Sequence, residues 1–247
     1  MLELKNVCFN YFSKNGETEA LKNINFKVNN GELISIVGPS GCGKTTILSL
    51  ISGLLTPLTG EIVGNLFEEH KAGYMFQKDH LLEWRNIKKN VLIGLEINKT
   101  TNQKNVDYAL NLLNKYGLGE FINKYPHELS GGMRQRVSLI RTLALKPKIM
   151  LLDEPFSALD FQTRLKVCDD VYNILKTENI TAILVTHDIS EAISMSDRII
   201  VLTKRPSSVK NIHTIKLNGS TPMQRRDDAN FNKYFDTIWK ELSDEKG

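Results

Sequence analysis

The sequence predicts an α/β fold: a parallel sheet carrying chemistry at the C-terminal ends of its strands, an antiparallel β layer before it, and an inserted helical arm. Three observations carry this expectation. Leu33-Ile34-Ser35-Ile36-Val37 is a short apolar run that reads as a buried strand, and it ends in the glycine-rich stretch Gly38-Pro39-Ser40-Gly41-Cys42-Gly43-Lys44-Thr45. Ile149-Met150-Leu151-Leu152 is a second such run, ending in Asp153-Glu154-Pro155. Between them, residues 83 to about 146 change to helical spacing.

The stretch from Gly38 to Thr45 matches the pattern GxxxxGK[ST]. Its glycines let backbone N–H groups turn inward around a polyphosphate at the start of a helix, where anions are favoured. Lys44 then reaches the β and γ phosphates as a point charge, and the Thr45 hydroxyl is placed to ligate magnesium. Ile47, Leu48, Leu50, Ile51 and Leu54 recur with helical spacing directly after the loop. The reading is a nucleoside triphosphate site.

The β layer is predicted from Leu2, Leu4, Ile24, Phe26 and Val28, which alternate with polar residues. Asn30-Gly31 predicts a two-residue hairpin turn into the strand of residues 32–37. Tyr11 and Phe12 fall between these strands in a segment rich in Asn, Lys and Gly. Tyr11 either stacks on an adenine, worth about 1–3 kcal/mol per base, or packs at the sheet edge. Thr56 to Gly60 breaks the chain, and Gln77 follows the apolar run 72–76, which alone reads as the solvated end of a strand.

In the arm, Val106, Ala109, Leu110 and Leu113 share a helix face and Gly117 caps it. A last helix begins at Leu129-Ser130-Gly131-Gly132, with Ser130 as its N-cap, and runs through Leu143 to a stop at Pro147. Paired glycines and the cations Arg134 and Arg136 are poor choices for a helix start, and together they suit an anion.

Asp153 and Glu154 lie at the end of a buried strand, where ligands of α/β folds bind. Asp153 can hold a magnesium shell, and Glu154 can orient and deprotonate water. Residues 180–186 form another apolar strand ending at His187, which faces the same edge. A strand at 199–202, an edge strand at 212–217 and an amphipathic helix with Phe231, Tyr234, Phe235, Ile238, Trp239 and Leu242 on one stripe complete the chain. That helix is expected to pack on its own domain.

With 247 residues, 41% hydrophobic and 24% charged, the chain can bury a full core of one large domain. A net charge of +4 names no partner. No apolar stretch reaches the 18 or so residues a spanning helix needs, and Met1 to Lys5 shows no targeting segment, so the expected location is the cytoplasm. Cys8, Cys42 and Cys168 are too scattered for a disulfide framework or a zinc site. Cys42, inside the loop, is expected to be shielded from alkylation by ATP.

The loop at 38–45, Gln77, Leu129-Ser130-Gly131-Gly132, Asp153-Glu154 and His187, in this order, resemble the ATP-binding-cassette (ABC) ATPases over nearly the whole chain. The wording Phe76 to Trp84, Tyr125-Pro126-His127-Glu128 and Leu152 to Phe156 is similar to the nitrate, sulfonate and taurine importer branch. The resemblance implies a phosphate-loop NTPase (RecA-like) core at 1–82 and 147–247, and a helical signature-motif subdomain at 83–146. It implies ATP and magnesium as cofactors, with Gly38 to Thr46 around the phosphates and Tyr11 on the adenine. Thr45, Gln77 and Asp153 would serve the metal, Glu154 would be the general base, and His187 and Lys44 would act on the γ-phosphate. Ser130, Gly131 and Gly132 would contact the ATP of a second copy, and Asp160 would join the two halves. Expected partners are that second copy, a transmembrane permease at the inner face of the cell membrane and, indirectly, an extracellular solute-binding protein, with no nucleic acid. The rival is a soluble ABC ATPase acting on nucleic acid or ribosomes, a class that carries fused cassettes or coiled-coil insertions, which this sequence lacks. Two departures stand out: residues 61–72 look shorter than the usual hairpin segment, and no regulatory domain is expected after residue 247.

Overall fold

The computed structural model describes residues 1–14, 16–64 and 72–243. The shortened hairpin expected at 61–72 lies mostly outside them. Two sheets form the core, one of three strands and one of six.

β1 (Leu2–Ser13) and β2 (Gly16–Val28) pair antiparallel, and Leu2, Leu4, Ile24, Phe26 and Val28 are all buried, as their alternation predicts. The third strand, β4 (Thr59–Gly64), returns to β1 only after the phosphate-loop helix. Asn30-Gly31 does turn the chain, but not into a hairpin. β3 (Leu33–Val37) leaves the first sheet and lies between β7 (Thr181–Val185) and β8 (Arg198–Leu202), parallel to both. All five residues of β3 are buried, so an apolar run covered on both faces reads identically in either arrangement. Tyr11 and Phe12 also depart from expectation, because they belong to β1 itself.

α1 (Lys44–Ile51) follows the loop after β3. It stops one turn before Leu54, which is 67% exposed rather than part of the helix face. β5 (Ala72–Met75) and β6 (Ile149–Asp153) extend the parallel sheet, and β9 (Val209–Thr214) closes its other edge antiparallel, a few residues earlier than predicted.

The arm holds α2 (Ile87–Ile97), α3 (Gln103–Lys115) and α4 (Gly131–Leu143). α3 ends at Tyr116, with Gly117 at φ +73°. There Leu118 N–H donates to the Leu113 carbonyl at 2.8 Å and Gly117 N–H to Asn114 at 3.2 Å. That pair is a Schellman stop. One apolar cluster runs without a break from Val91, Leu113 and Ile140 of the arm to Met75, Leu152 and Leu184 of the sheet. α5 (Phe161–Thr177) and α6 (Ile189–Met195) flank the sheet, and α7 (Pro222–Arg226) packs on both of them. α8 (Phe231–Ser243) packs Phe231 and Ile238 on the chain's own core, leaving Trp239 half exposed. Among the described residues no helix is long and apolar enough to cross a membrane.

Candidate active site

The parallel strands aim their C-terminal ends at one edge, and five of them contribute there. β3 leads into the phosphate loop, β5 into Gln77, β6 into Asp153-Glu154, β7 into His187 and β8 into Arg205. Strand order matters: β3 has β7 on one side and β8 on the other, so His187 and Arg205 flank the loop. A cavity of about 580 Å³ opens here, lined by Ser40, Gly41, Gly43, Lys44, Thr45, Thr46, Glu154, His187 and Arg205. A smaller cavity of about 330 Å³, lined in part by Asn30, Lys148 and Asn179, sits at the opposite edge, away from these groups.

Gly43 caps α1 at φ 110°, a backbone state closed to residues with a Cβ, and so turns the loop into the helix. Lys44 is 7% exposed and folds back onto its own loop, donating to the carbonyls of Gly38 at 2.9 Å and Pro39 at 3.0 Å. A buried ammonium held only by carbonyls is ready to exchange them for phosphate oxygens.

Both oxygens of Asp153 are engaged: Thr45 Oγ1 donates to Oδ1 at 3.1 Å and Tyr74 Oη to Oδ2 at 3.0 Å. Burial pushes the Asp153 carboxyl upward, and the two hydroxyl donors pull against that shift. Burial, together with the Asp153 charge, raises the Tyr74 phenol strongly, so it remains a donor. The Thr45 and Asp153 oxygens fit a magnesium ion. Adjacent oxygens around an octahedral ion bonded at roughly 2.0–2.1 Å lie about 3 Å apart, close to the 3.1 Å found.

Glu154 takes φ +46°, rare for a residue with a side chain, as the chain leaves β6. Its N–H still donates to the Val185 carbonyl at 2.9 Å, and its Oε2 lies 3.1 Å from His187 Nδ1. Gln77 joins through Ser157: Gln77 Nε2 donates to Ser157 Oγ at 3.0 Å, and Ser157 Oγ donates to the Glu154 carbonyl at 2.9 Å. Gln77 is thereby tied to the main chain of Glu154, whose carboxylate meets His187.

Tyr11 is 42% exposed, packs edge-on against Phe9, and hydrogen-bonds its hydroxyl to Thr46 Oγ1 at 2.9 Å. It stands beside the loop with part of its ring free. Cys42 is 1% exposed in the apolar cluster beneath the loop and its thiol is raised by burial, so the fold itself already covers the sulfur that ATP is expected to shield.

Ser130, Gly131 and Gly132 do not line the cavity. They form the start of α4, where the Ser130 hydroxyl accepts from Met133 N–H at 3.4 Å as the expected N-cap. Ser130 and Gly131 are exposed. The two arginines expected to serve an anion there are occupied within the chain. Arg134 bonds Asp79 at 2.8 Å and Glu83 at 3.0 Å, and Arg136 reaches the Tyr116 carbonyl at 3.3 Å and Asp170 at 3.6 Å. Long side chains at a helix start can swing back to neighbouring acids, which spacing along the sequence does not reveal. Asp160 caps α5, accepting from Thr163 N–H at 3.0 Å, and is exposed.

Sequence reasoning passed over Arg205, Tyr74 and Ser157. For Arg205 a signal was present: it follows a buried strand, as His187 does, and only the knowledge that β8 neighbours β3 gives that position meaning.

A family model described as "ABC transporter" matches residues 21–157. An uncharacterized ABC transporter ATP-binding protein of Bacillus subtilis, YtlC, is 47% identical over 98% of this chain and 95% of its own. The nitrate import ATP-binding protein NrtD of Synechocystis is 37% identical over 96% and 93%. A dimeric ATP-binding cassette in a post-hydrolysis state bound to ADP and Pi superposes with a TM-score of 0.71 at 32% identity, over 87% of this chain and 99% of that one. With its phosphate loop, Glu154 and His187 gathered in one cavity and Asp153 bonded to the loop's Thr45, the chain belongs to the ABC transporter family, as an ATP-binding subunit with ATPase activity.

Proposed function

We propose that the chain drives import of a small solute of the nitrate, sulfonate or taurine type through a separate membrane permease. It works as a pair at the inner face of the membrane, and the permease receives solute from an extracellular binding protein. The observation that carries this reading is the split of the ATP motifs between a cavity and a distant, exposed helix start. A second copy facing the first brings Ser130, Gly131 and Gly132 of α4 to the open side of the cavity, so that two ATPs are enclosed. The dimeric relative bound to ADP and Pi and the nitrate importer subunit support the pairing and the direction of transport.

In this reading Gly38 to Thr46 hold the phosphates, with loop N–H groups and Lys44 neutralising charge, and Tyr11 stacks on the adenine. Thr45, Asp153 and Gln77 hold magnesium, which when bound screens the phosphate charge. Glu154 accepts the proton of the attacking water through the carboxylate that His187 orients, and His187 also contacts the γ-phosphate. Gln77 senses both the metal and the water, so occupancy of the cavity is felt by the arm through residues 78–83. Asp160 meets the opposing copy. The helical subdomain is 83–146, and the core is 1–82 with 147–247.

The test is to tag the chain in its own cells, solubilise membranes gently and identify co-purifying proteins by mass spectrometry. A polytopic membrane protein with a solute-binding protein is expected. Recovery only with ribosomes or nucleic acid would overturn the importer reading.

A further inference from the structure

Arg205 belongs to none of the motifs that define the site, yet it lines the same cavity as Lys44, Glu154 and His187. Its guanidinium Nη2 donates to the Gly41 carbonyl at 2.7 Å, across 164 positions of sequence. Gly41 is the outer bend of the phosphate loop, at φ +73°.

The turn that presents Arg205 is held firmly. Thr203 N–H donates to the Ser208 carbonyl at 3.0 Å, Ser208 N–H to Thr203 Oγ1 at 2.9 Å, and Ser207 Oγ to the Thr203 carbonyl at 3.2 Å. The same turn is fastened to β2: Ser207 N–H donates to the Ala20 carbonyl at 3.0 Å and Lys22 N–H to the Ser207 carbonyl at 2.8 Å. Ser207 is fully buried.

The phosphate loop packs directly on this support. A Cβ on Gly38 would lie 2.8 Å from Cys42 Sγ and 3.0 Å from Leu202 Cβ, so loop and strand end touch with no room for a side chain. The loop and the 203–208 turn thus pack directly on one another, and the exposed Arg205 side chain reaches from that turn to the rim of an anion site. A guanidinium offers five donors in a planar fork and pairs far better with phosphate than with a single carbonyl.

We propose that Arg205 is a second phosphate-binding cation of this site, contacting the phosphate chain of bound nucleotide beside Lys44. The inference rests on the nucleotide reading of the cavity. Because backbone bonds hold the turn and the Gly41 carbonyl already receives the guanidinium, the charge stands at the loop before nucleotide arrives.

The test uses the full chain, with ATP and ADP binding measured by calorimetry for the unmodified protein, Arg205→Gln and Arg205→Lys. Arg205→Gln is expected to weaken binding about tenfold, the scale of one hydrogen bond to a charged group. Arg205→Lys should recover part of the loss, and the affinity of Arg205→Gln should depend less on salt. Loss for ATP alone assigns the contact to the third phosphate, and loss for both nucleotides assigns it to the first two. Unchanged affinity for both, in a variant with unaltered unfolding temperature, overturns the proposal. Should Arg205→Gln fold poorly, Arg205→Ala decides: weaker binding with a smaller salt dependence supports the contact, and no shift overturns it. An unmodified chain that bound neither nucleotide would instead sink the reading of the cavity itself.

Discussion

The cavity at the ends of β3, β6 and β7 and the start of α4 are both anion-ready by chemistry, but they are built differently. At the cavity, side chains converge: Lys44, Thr45, Asp153, Glu154 and His187 are tied to one another or to the loop by bonds of 2.9–3.1 Å. At α4, side chains diverge: Arg134 and Arg136 turn away to Asp79, Glu83, Tyr116 and Asp170, leaving Ser130 and Gly131 at the surface with Gly132 buried behind them. A site that gathers its chemistry can be read in isolation. One that clears its surface makes sense only against something that docks, and substitutions at each sharpen the contrast.

The largest effects belong to the cavity. Glu154→Gln should keep ATP binding while lowering turnover by about 10² to 10⁴, the usual worth of a general base. Wild-type hydrolysis in that variant would remove Glu154 from the role. Lys44→Ala should abolish productive binding, because the carbonyls of Gly38 and Pro39 then face the phosphates without a cation. Calorimetry showing unchanged ATP affinity would contradict this.

The α4 start should separate stability from activity. A Cβ on Gly132 would lie 2.8 Å from Val167 Cγ2 and 3.1 Å from Thr163 Cγ2, whereas one on Gly131 meets only Leu159 Cδ2 at 3.2 Å. Gly132→Val should therefore destabilise by about 2 kcal/mol through overpacking against α5, since valine improves on glycine in a helix by only a few tenths. Gly131→Ala should leave unfolding within about 0.5 kcal/mol of wild type yet slow hydrolysis by up to about 10²-fold if a partner's nucleotide must be positioned there. Equal activity in Gly131→Ala and wild type would mean that the exposed start serves no nucleotide.

The smallest effect concerns how the arm is tied to the core. Glu178, after α5, accepts from Lys115 Nζ and Tyr116 Oη, each at 2.7 Å. Burial opposes its charge, but these donors prevail and hold its carboxyl below the usual range. A carboxylate depressed in the fold stabilises above its unfolded pKa and loses that contribution as pH falls through the folded value. Glu178→Gln should thus cost about 1 kcal/mol at pH 7 and nothing in acid below the folded value. Unfolding midpoints that differ equally at both pH values would exclude the charge as the cause.

Most of the cavity was legible because phosphate chemistry forces residue type and spacing together. Gly38 to Thr45 must follow a strand, and acids or a histidine closing an apolar run must emerge at the same edge. What the sequence hid was neighbourhood. Asn30-Gly31 looked like a hairpin because a two-residue turn says nothing about which sheet the next strand joins. Arg205 and Tyr74 are ordinary residues until strand order puts one beside Gly41 and the other over Asp153. Arg134 misled for the opposite reason: helix-dipole reasoning fixes what a helix start prefers, but not which acid, here Asp79, reaches it through space.

The central claim, that α4 of one copy completes the cavity of another, is tested most directly by light scattering of Glu154→Gln with and without ATP and magnesium. A doubling of molecular mass that requires ATP, and that is lost when Gly131→Ala is added, is the predicted result. A mass that stays monomeric with ATP bound, or a dimer indifferent to both ATP and Gly131→Ala, would contradict it.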